Sequence, residues 1–277
     1  MAVDLDGTLL DARGQPHPRD VCAIKAALRA GVRVSIVTGR LYSGTRAVAE
    51  LLGLRGTVAC ADGSHLVHAS DHATLLHYGV KGPNARRLRD SLARAAITTF
   101  VFAGDAIGYD DAGARFLSYL KTWSNDLRLA SDVFADDLWN SPEGITGAVA
   151  LGSDAQIATA VAEIERELAG IASITSFPIR RGVHTGLWAL IVRAAGGTKG
   201  TAVRWIAEHE RVALGDTVCV GDWINDVPMF EAAGRSFVMG QAPDEVKAKA
   251  TDVLLETVEA GGGVARAIEV AFGIRVF

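Results

Sequence analysis

Short apolar runs alternate with helical patterns along the first sixty residues of the chain. Residues 32–37 and 57–60 have the composition of buried parallel strands, and residues 42–52 between them carry a helical pattern. The connections are short, which predicts a doubly wound α/β sheet with helices on both faces. Ligands of such sheets bind at the carboxyl ends of the strands.

The pattern changes near residue 82 and changes back near residue 195. The segment between these points has its own apolar content and is predicted to be α+β, with a helix over 112–123 and a strand near Val133 among its elements. Residues 194–197, Ala-Ala-Gly-Gly, form the predicted return hinge. We therefore expect a core domain of residues 1–81 and 195–277, with an inserted domain of residues 82–194.

The composition limits the classes of protein to consider. The chain has 277 residues, of which 49% are hydrophobic, and a net charge of −4, with no lysine- or arginine-rich block. A sizeable core can be buried, and nucleic acid is not a favoured partner. No apolar run is long enough to span a bilayer, and acids at positions 4 and 6 do not fit a signal peptide. Three widely spaced cysteines predict reduced core thiols in a cytoplasmic protein: Cys22, Cys60 and Cys219.

Two carboxylates follow the first apolar run. On a strand, alternation directs Asp4 and Asp6 to one side, and Gly7 lets the chain turn away. Like charges this close resist joint ionisation, so the pair predicts a bound cation, a proton held by one acid, or both. One acid can then act as a nucleophile and the other as a general acid and base. An isolated Asp-x-Asp-Gly is more often a turn, but three further polar segments favour a site.

One of these three further segments, the last in the chain, follows a predicted strand near the C-terminal end. Asp222, Asn225 and Asp226 lie within one helical turn, so three oxygen-bearing side chains converge. Hard oxygen ligands with few neighbouring histidines or cysteines favour Mg²⁺. Trp223, between them, is predicted to be a packing residue.

The remaining two segments suit a phosphate group. Thr38 offers a hydroxyl at a strand end, and Gly39 allows its backbone N–H to approach a phosphate oxygen. Lys199 begins a predicted helix and supplies a fixed cation that neutralises both phosphate and Asp4. Phosphoryl transfer requires a nucleophile, an acid and positive charge of this kind.

Taken in chain order, at Asp4–Asp6, Thr38–Gly39, Lys199 and Asp222–Asp226, the four segments resemble the motifs of the haloacid dehalogenase (HAD) superfamily of phosphotransferases. Gly221-Asp222-x-x-Asn225-Asp226 is similar to the Cof-type branch, whose members carry a large α/β cap between the second and third motifs. The resemblance covers essentially the whole chain. It implies a Rossmann-like core and identifies residues 82–194 as the cap.

The resemblance also implies roles for the site residues. Asp4 is the nucleophile that forms an aspartyl-phosphate, and Asp6 protonates the leaving alcohol and then activates water. An acid at the position of Asp6 is typical of the phosphatases of the superfamily, whereas its ATPases and dehalogenases generally differ there. Mg²⁺ is bound by Asp4, by the Asp6 backbone carbonyl and by Asp222. Asp226 acts on the metal directly or through water, and Asn225 orients phosphate or metal.

Other side chains are candidates for substrate recognition. Arg40 is expected to brace the site or to meet the cap. In the cap, Arg180, Arg181 and His184 are candidates for contacts with the polar body of a substrate, although a surface loop explains them equally well. Related sequences often have Asn-Gly at Asp62-Gly63, and the extra negative charge of Asp62 can bias the site against some phosphates.

Four histidines between residues 65 and 77 invite interpretation as a metal site. The four histidines are spread over both strands of a predicted hairpin around Leu66 and Leu75. They also lack cysteines or acids at the spacing that would complete a metal site. They are therefore predicted to be solvated loop residues: His65, His68, His72 and His77.

These observations together predict a Mg²⁺-dependent phosphatase. Its substrates would be small phosphorylated metabolites, sugar or polyol phosphates by resemblance, and the cap would close over the site and exclude bulk water. The alternatives are a phosphomutase of the phosphomannomutase type and a non-catalytic metabolite-binding protein of the same fold. The presence of both an acid and a nucleophile argues against a mere binder.

Overall fold

A computed structural model of the chain describes residues 1–179 and 185–276. They form two compact units, one of residues Met1–Leu76 and Thr198–Phe277 and the other of residues His77–Gly197. We call them the core unit and the inserted unit. The candidate substrate residues Arg180, Arg181 and His184 lie outside the described residues.

The N-terminal part of the core unit alternates strands with helices before it ends in a hairpin. Its elements are β1 (Ala2–Val3), α1 (Pro18–Arg29), β2 (Ser35–Ile36), α2 (Arg46–Leu52), β3 (Thr57–Cys60), β4 (His65–His68) and β5 (Thr74–His77). A proline at its first position favours the start of α1, because its fixed φ suits a helix and its missing N–H would have no helical partner. β3, β4 and β5 form a separate three-stranded sheet, which confirms the predicted hairpin.

The inserted unit is built on a six-stranded, mostly antiparallel sheet. Its elements are α3 (Gly82–Arg94), β6 (Thr98–Ala103), β7 (Ala106–Tyr109), α4 (Asp111–Ala114), α5 (Leu117–Leu120), β8 (Asp126–Leu129), β9 (Gly147–Gly152), α6 (Asp154–Glu167), β10 (Ala172–Pro178) and β11 (Trp188–Ala194). The strand order is β10-β11-β9-β6-β7-β8, and only the β7–β8 pair is parallel. Apolar residues of α3 and α6 pack on this sheet and form a core within the unit.

Two predictions for the inserted unit are wrong. The helix over 112–123 is broken into α4 and α5, and Gly113 in this segment disfavours a continuous helix. Val133 begins a 3₁₀ turn instead of a strand, because the Asp132 side chain accepts a hydrogen bond from the backbone N–H of Phe134 at 2.9 Å.

The chain returns to the core unit at Thr198. The elements that follow are α7 (Lys199–His209), β12 (Val218–Gly221), α8 (Val227–Ala232), β13 (Arg235–Val238), α9 (Asp244–Lys247), β14 (Asp252–Val253) and α10 (Gly263–Phe272). The main sheet has the order β14-β13-β12-β1-β2, and every pair in it is parallel.

Both faces of this sheet are covered by helices. Val3 and Val220 share one apolar cluster with residues of α1, α2 and α10, whereas Ala2 and Cys219 share another with residues of α7 and α8. This follows from strand alternation, since neighbouring residues point to opposite faces. The predicted doubly wound α/β core with an inserted α+β domain is confirmed. From β1 the chain first adds β2 on one side and later β12 on the other, so the topological switch point lies between β1 and β12.

Several side chains differ from their predicted environments. Cys60 and Cys219 are buried as expected, but Cys22 is exposed on α1. The prediction of solvated histidines is wrong for His65, which is buried on β4 and hydrogen-bonded to Thr74 Oγ1 at 3.0 Å. In the part of the chain that the structure describes, no helix is long and apolar enough to cross a membrane.

Candidate active site

The two strands at the switch point each deliver a carboxylate to the same edge of the sheet. Asp4 follows β1, and its backbone N–H donates to the carbonyl oxygen of Val220 on β12 at 3.0 Å. Asp222 follows β12. A carboxylate oxygen from each of Asp4, Asp222 and Asp226 lies within 4.8 Å of the others. We call these three residues the acidic cluster.

Lys199 is the cation of this cluster. Its side chain is 1% exposed, and its Nζ donates to Oδ1 of Asp4 and to Oδ1 of Asp226, both at 2.6 Å. It lies in the first turn of α7, where the Thr198 hydroxyl caps the helix by accepting from the backbone N–H of Thr201. A lysine fixed by helix geometry and by two carboxylates has little freedom, so its charge is held beside Asp4.

Asp226 also orders the loop that carries Asp222. Its Oδ2 accepts from the backbone N–H groups of Asp222 and Trp223 at 2.8 and 2.9 Å, while its Oδ1 faces Lys199. Both of its oxygens therefore bind donors of the protein itself. Trp223 is held in place through its backbone, yet the residue is 49% exposed, so its prediction as a packing residue is wrong.

Burial and the repulsion of neighbouring carboxylates disfavour the charged forms of Asp4 and Asp222. Burial raises the pKa of Asp4 well above its usual range, and Asp226 and Asp222 raise it further, against the opposing effect of Lys199. Burial and the neighbouring Asp226 raise the pKa of Asp222 to about 7. Burial alone would lower the pKa of Lys199, but Asp226, Asp4 and Asp62 outweigh it and raise that pKa.

The acidic cluster has the chemistry of a divalent cation site. Among residues 1–179 and 185–276, it is the only group of three or more acids, histidines or cysteines close enough to share an ion. Gly7 has a φ of +85° and lies so close to Asp222 that a Cβ would overlap Oδ2 of that carboxylate. Ionising all three carboxylates would leave more negative charge than one lysine balances, so a cation would favour their charged forms, and oxygen donors alone suit Mg²⁺. The residues present fit the predicted metal.

Asp6 lies outside the acidic cluster. The Arg40 side chain holds its carboxylate through two bonds, Nε to Oδ2 at 2.8 Å and Nη2 to Oδ1. The Arg40 side chain is only 11% exposed, whereas that of Asp6 is 52% exposed. Arg40 therefore orients an acid that is open to solvent. This specific pairing was not predicted, since the two residues are 34 positions apart and such a separation carries no spacing signal.

The predicted phosphate-binding residues meet around the turn after β2. Thr38 is buried, and its hydroxyl accepts from the backbone N–H of Arg40 at 3.2 Å. The Asn225 amide nitrogen donates to Oδ1 of Asp62 at 2.9 Å. A Cβ built on Gly39 would lie 3.3 Å from that same Asp62 oxygen. Asp62 thus links the Thr38–Gly39 turn to Asn225, a contact that the sequence did not reveal.

The fold and this site define a class of protein. Carboxylates, a buried lysine and a Thr-Gly turn at the switch point of a doubly wound sheet form a site suited to phosphoryl transfer. The chain matches the model of the haloacid dehalogenase-like hydrolase family over residues 1–268, and it belongs to that family.

Curated relatives and solved structures agree with this assignment. The chain is 26% identical to phosphatase YwpJ of Bacillus subtilis (strain 168), over 94% of this chain and 96% of that one. It is also 26% identical to pyridoxal phosphate phosphatase YbhA of Escherichia coli (strain K12), over 92% of each chain. A solved HAD subclass IIB sugar phosphatase shares the fold with a TM-score of 0.78, at 19% identity over 99% of this chain and 98% of that one.

The family match confirms the resemblance seen in the sequence. It also confirms that the chain is an enzyme, a phosphatase that hydrolyses phosphoric monoesters. The roles assigned to individual residues stay predictions.

Proposed function

We propose that the protein is a Mg²⁺-dependent phosphatase that hydrolyses small phosphorylated metabolites, sugar or polyol phosphates, through an aspartyl-phosphate on Asp4. The observation that carries this proposal is the position of Lys199 Nζ, 2.6 Å from both Asp4 and Asp226 beside Asp222. This arrangement holds one oxygen of Asp4 and keeps positive charge next to the nucleophile.

The side chains of the core unit divide the reaction into two steps. Oδ2 of Asp4 attacks the phosphorus while Lys199 holds Oδ1, and the ester oxygen leaves with a proton from Asp6. Water then attacks the phosphorus of the aspartyl-phosphate, gives a proton to Asp6, and regenerates the Asp4 carboxylate with release of phosphate. Arg40 keeps the Asp6 carboxyl oriented during this exchange.

The phosphoryl oxygens are bound by groups around the same edge of the sheet. We assign this role to the Thr38 hydroxyl, the Gly39 backbone N–H and the Asn225 amide, with Lys199 as the cation. Mg²⁺ would be held by Asp4, the Asp6 backbone carbonyl and Asp222, and when bound it supplies positive charge against the phosphoryl oxygens. Asp226, whose oxygens already bind Lys199 and the loop backbone, orders the site and would contribute to holding the metal through water.

The substrate class rests on the inserted unit and on the relatives. Residues 77–197 form a compact unit with an apolar core of its own. We assign the selection of small substrates to this unit. YbhA is named for pyridoxal phosphate, and the solved neighbour is named a sugar phosphatase, so both names point to small esters. Three free cysteines fit a reducing compartment, and we place the protein in the cytoplasm.

The test is phosphate release from a panel of sugar, polyol, nucleotide and glycerate phosphates, with Mg²⁺ or with chelator. Asp4→Asn is the matched control, because it keeps the shape of the side chain and removes the nucleophilic carboxylate. We expect release from one chemical class, with Mg²⁺ only, and none by the variant. Release by a folded Asp4→Asn protein would refute the mechanism, and accumulation of isomerised sugar phosphate without free phosphate would identify a mutase.

A further inference from the structure

The segment that follows β3 has an unusual backbone. Ala61 and Asp62 both adopt left-handed conformations, with φ values of 49° and 52°, and Gly63 follows with φ of 95°. Residues other than glycine, asparagine and aspartate rarely adopt this backbone region. The resulting backbone strain persists only where surrounding contacts enforce the conformation.

Contacts on two sides impose this conformation. The backbone N–H groups of Ala61 and Asp62 donate to the carbonyl oxygens of Arg40 and Thr38, both at 2.8 Å. On the other side Gly63 packs so closely on the start of α7 that a Cβ would overlap the carbonyl oxygen of Thr198. The segment is therefore fixed between the predicted phosphate-binding turn and the helix that carries Lys199.

The consequence is a fourth carboxylate buried at the site. Asp62 is 9% exposed, and its Oδ1 accepts the hydrogen bond from the Asn225 amide at 2.9 Å. The same oxygen lies against Gly39, 3.3 Å from where a Cβ would stand. Its charge also contributes to raising the pKa of Lys199. Asp62 thus lies against Gly39 and Asn225, the two groups to which we assign the binding of the phosphoryl oxygens. Its charge also acts on Lys199, the cation of the site.

We propose that Asp62 is a positioning residue that holds the Asn225 amide in place and whose negative charge weakens the hold of the site on the phosphate dianion, so that product phosphate leaves. The inference rests on the proposed function, because it takes Gly39 and Asn225 as phosphate ligands.

Electrostatics sets the size of the effect. A phosphate group carries about 1.5–2 negative charges near pH 7. A carboxylate within a few ångströms of the phosphate ligands repels it through a medium far less polarisable than water, so neutralising that carboxylate should tighten phosphate binding by about tenfold or more. Salt should reduce the difference only weakly, because a buried pair of charges is poorly screened.

Two variants separate charge from positioning. Asp62→Asn keeps the shape and an oxygen that can accept from Asn225, and asparagine tolerates a left-handed backbone. Asp62→Gly removes the charge and the acceptor together and relieves the backbone strain. Asp20→Asn is the control for neutralising a buried acid elsewhere, since Asp20 is 2% exposed and bonds backbone N–H groups at the start of α10.

The measurement is calorimetric titration of the full chain with inorganic phosphate at pH 7.5 in the presence of Mg²⁺. We expect the Kd to fall about tenfold in Asp62→Asn, to fall by a smaller factor but still more than about twofold in Asp62→Gly, where the Asn225 amide is no longer held in place, and to stay unchanged in Asp20→Asn. Inhibition of ester hydrolysis by phosphate should strengthen in parallel. kcat should be lower in Asp62→Gly than in Asp62→Asn, because only the glycine variant leaves the Asn225 amide without its acceptor.

A Kd within twofold of the wild-type value in Asp62→Asn, or weaker binding, overturns the inference. If that variant does not fold, the same criterion applies to Asp62→Gly. Tighter binding in a protein that hydrolyses no ester supports the role of Asp62 and refutes the proposed function. Ester hydrolysis by the wild-type protein, together with unchanged phosphate affinity in the Asp62 variants, supports the proposed function and refutes the role of Asp62.

Discussion

Replacing Lys199 by methionine should leave two buried carboxylates facing each other without a cation. Asp4 and Asp226 are 4% and 0% exposed, and each loses a charge-assisted hydrogen bond of 2.6 Å. Bonds of this kind contribute about 1.5–3 kcal/mol each, and removing one partner of a buried ion pair costs about 3–5 kcal/mol. We expect the free energy of unfolding to fall by about 3–5 kcal/mol at pH 8, because methionine fills a similar volume without the charge.

The loss should depend on pH. Burial already raises the pKa of Asp4, and without Lys199 it rises further. A carboxyl whose pKa is higher in the folded than in the unfolded protein binds more protons when folded, so stability falls as pH rises through that range. The variant should therefore be closest to wild type near pH 5 and furthest from it near pH 8.

Urea unfolding followed by circular dichroism at the two pH values measures both effects. Lys249→Met is the matched control, because Lys249 is exposed and its replacement should change stability by no more than about 0.5 kcal/mol. A Lys199→Met protein within about 1 kcal/mol of wild type at pH 8, or a loss that is equal at both pH values, would refute the reasoning.

Three further predictions follow from other groups. Because the pKa of Asp222 is about 7 without metal, Mg²⁺ has to displace a proton from it at lower pH, and the affinity for Mg²⁺ should rise between pH 6 and 8. Calorimetry in two buffers should detect the released proton, and an affinity that does not change with pH would contradict this prediction. Asp20→Ala should lower the free energy of unfolding in urea by about 2–4 kcal/mol, because the backbone N–H groups of Gly262 and Ala265, 3.0 and 2.7 Å from the carboxylate, lose their acceptor. A loss below about 0.5 kcal/mol would show that water replaces the carboxylate. A thiol reagent should label Cys22 rapidly, and Cys60 and Cys219 only after unfolding, because both are buried and burial raises the pKa of the Cys219 thiol; Cys22→Ser should abolish the rapid phase, and labelling that persists in that variant would place another thiol at the surface.

Local signals in the sequence were sufficient for the elements that present the site. The helix Lys199–His209 begins at the predicted residue, because Thr198 caps it and its apolar residues recur at helical spacing. Asp4 and Asp222 meet because parallel strands end at the same edge, which the strand–helix rhythm implies without any knowledge of pairing partners. The acidic cluster thus followed from pattern and topology.

Contacts between distant residues could not be predicted in the same way. Asp62 and Asn225 are 163 positions apart, and no periodicity connects them. Their contact depends on the left-handed backbone at Asp62, which the neighbouring turn and α7 impose. The side chain of Asp20, in the first turn of α1, similarly accepts hydrogen bonds from backbone N–H groups at the start of α10, where a glycine offers no side-chain cap. In each case tertiary packing determined the role of an acid that local spacing described only as polar.

The central strand β1 has a consequence for the synthesis of the chain. β1 pairs on one side with β2, which follows closely, and on the other with β12, more than two hundred residues later. At about 5–20 residues per second, ribosomes make that interval in about 10–40 s. During this time one edge of β1 has no native partner, and the inserted unit is completed before β12 is made, so that it can bury its own core first. We therefore expect a nascent intermediate with a folded middle and an open first sheet, in which Asp4 acquires Lys199 and Asp222 as neighbours only near the end of translation.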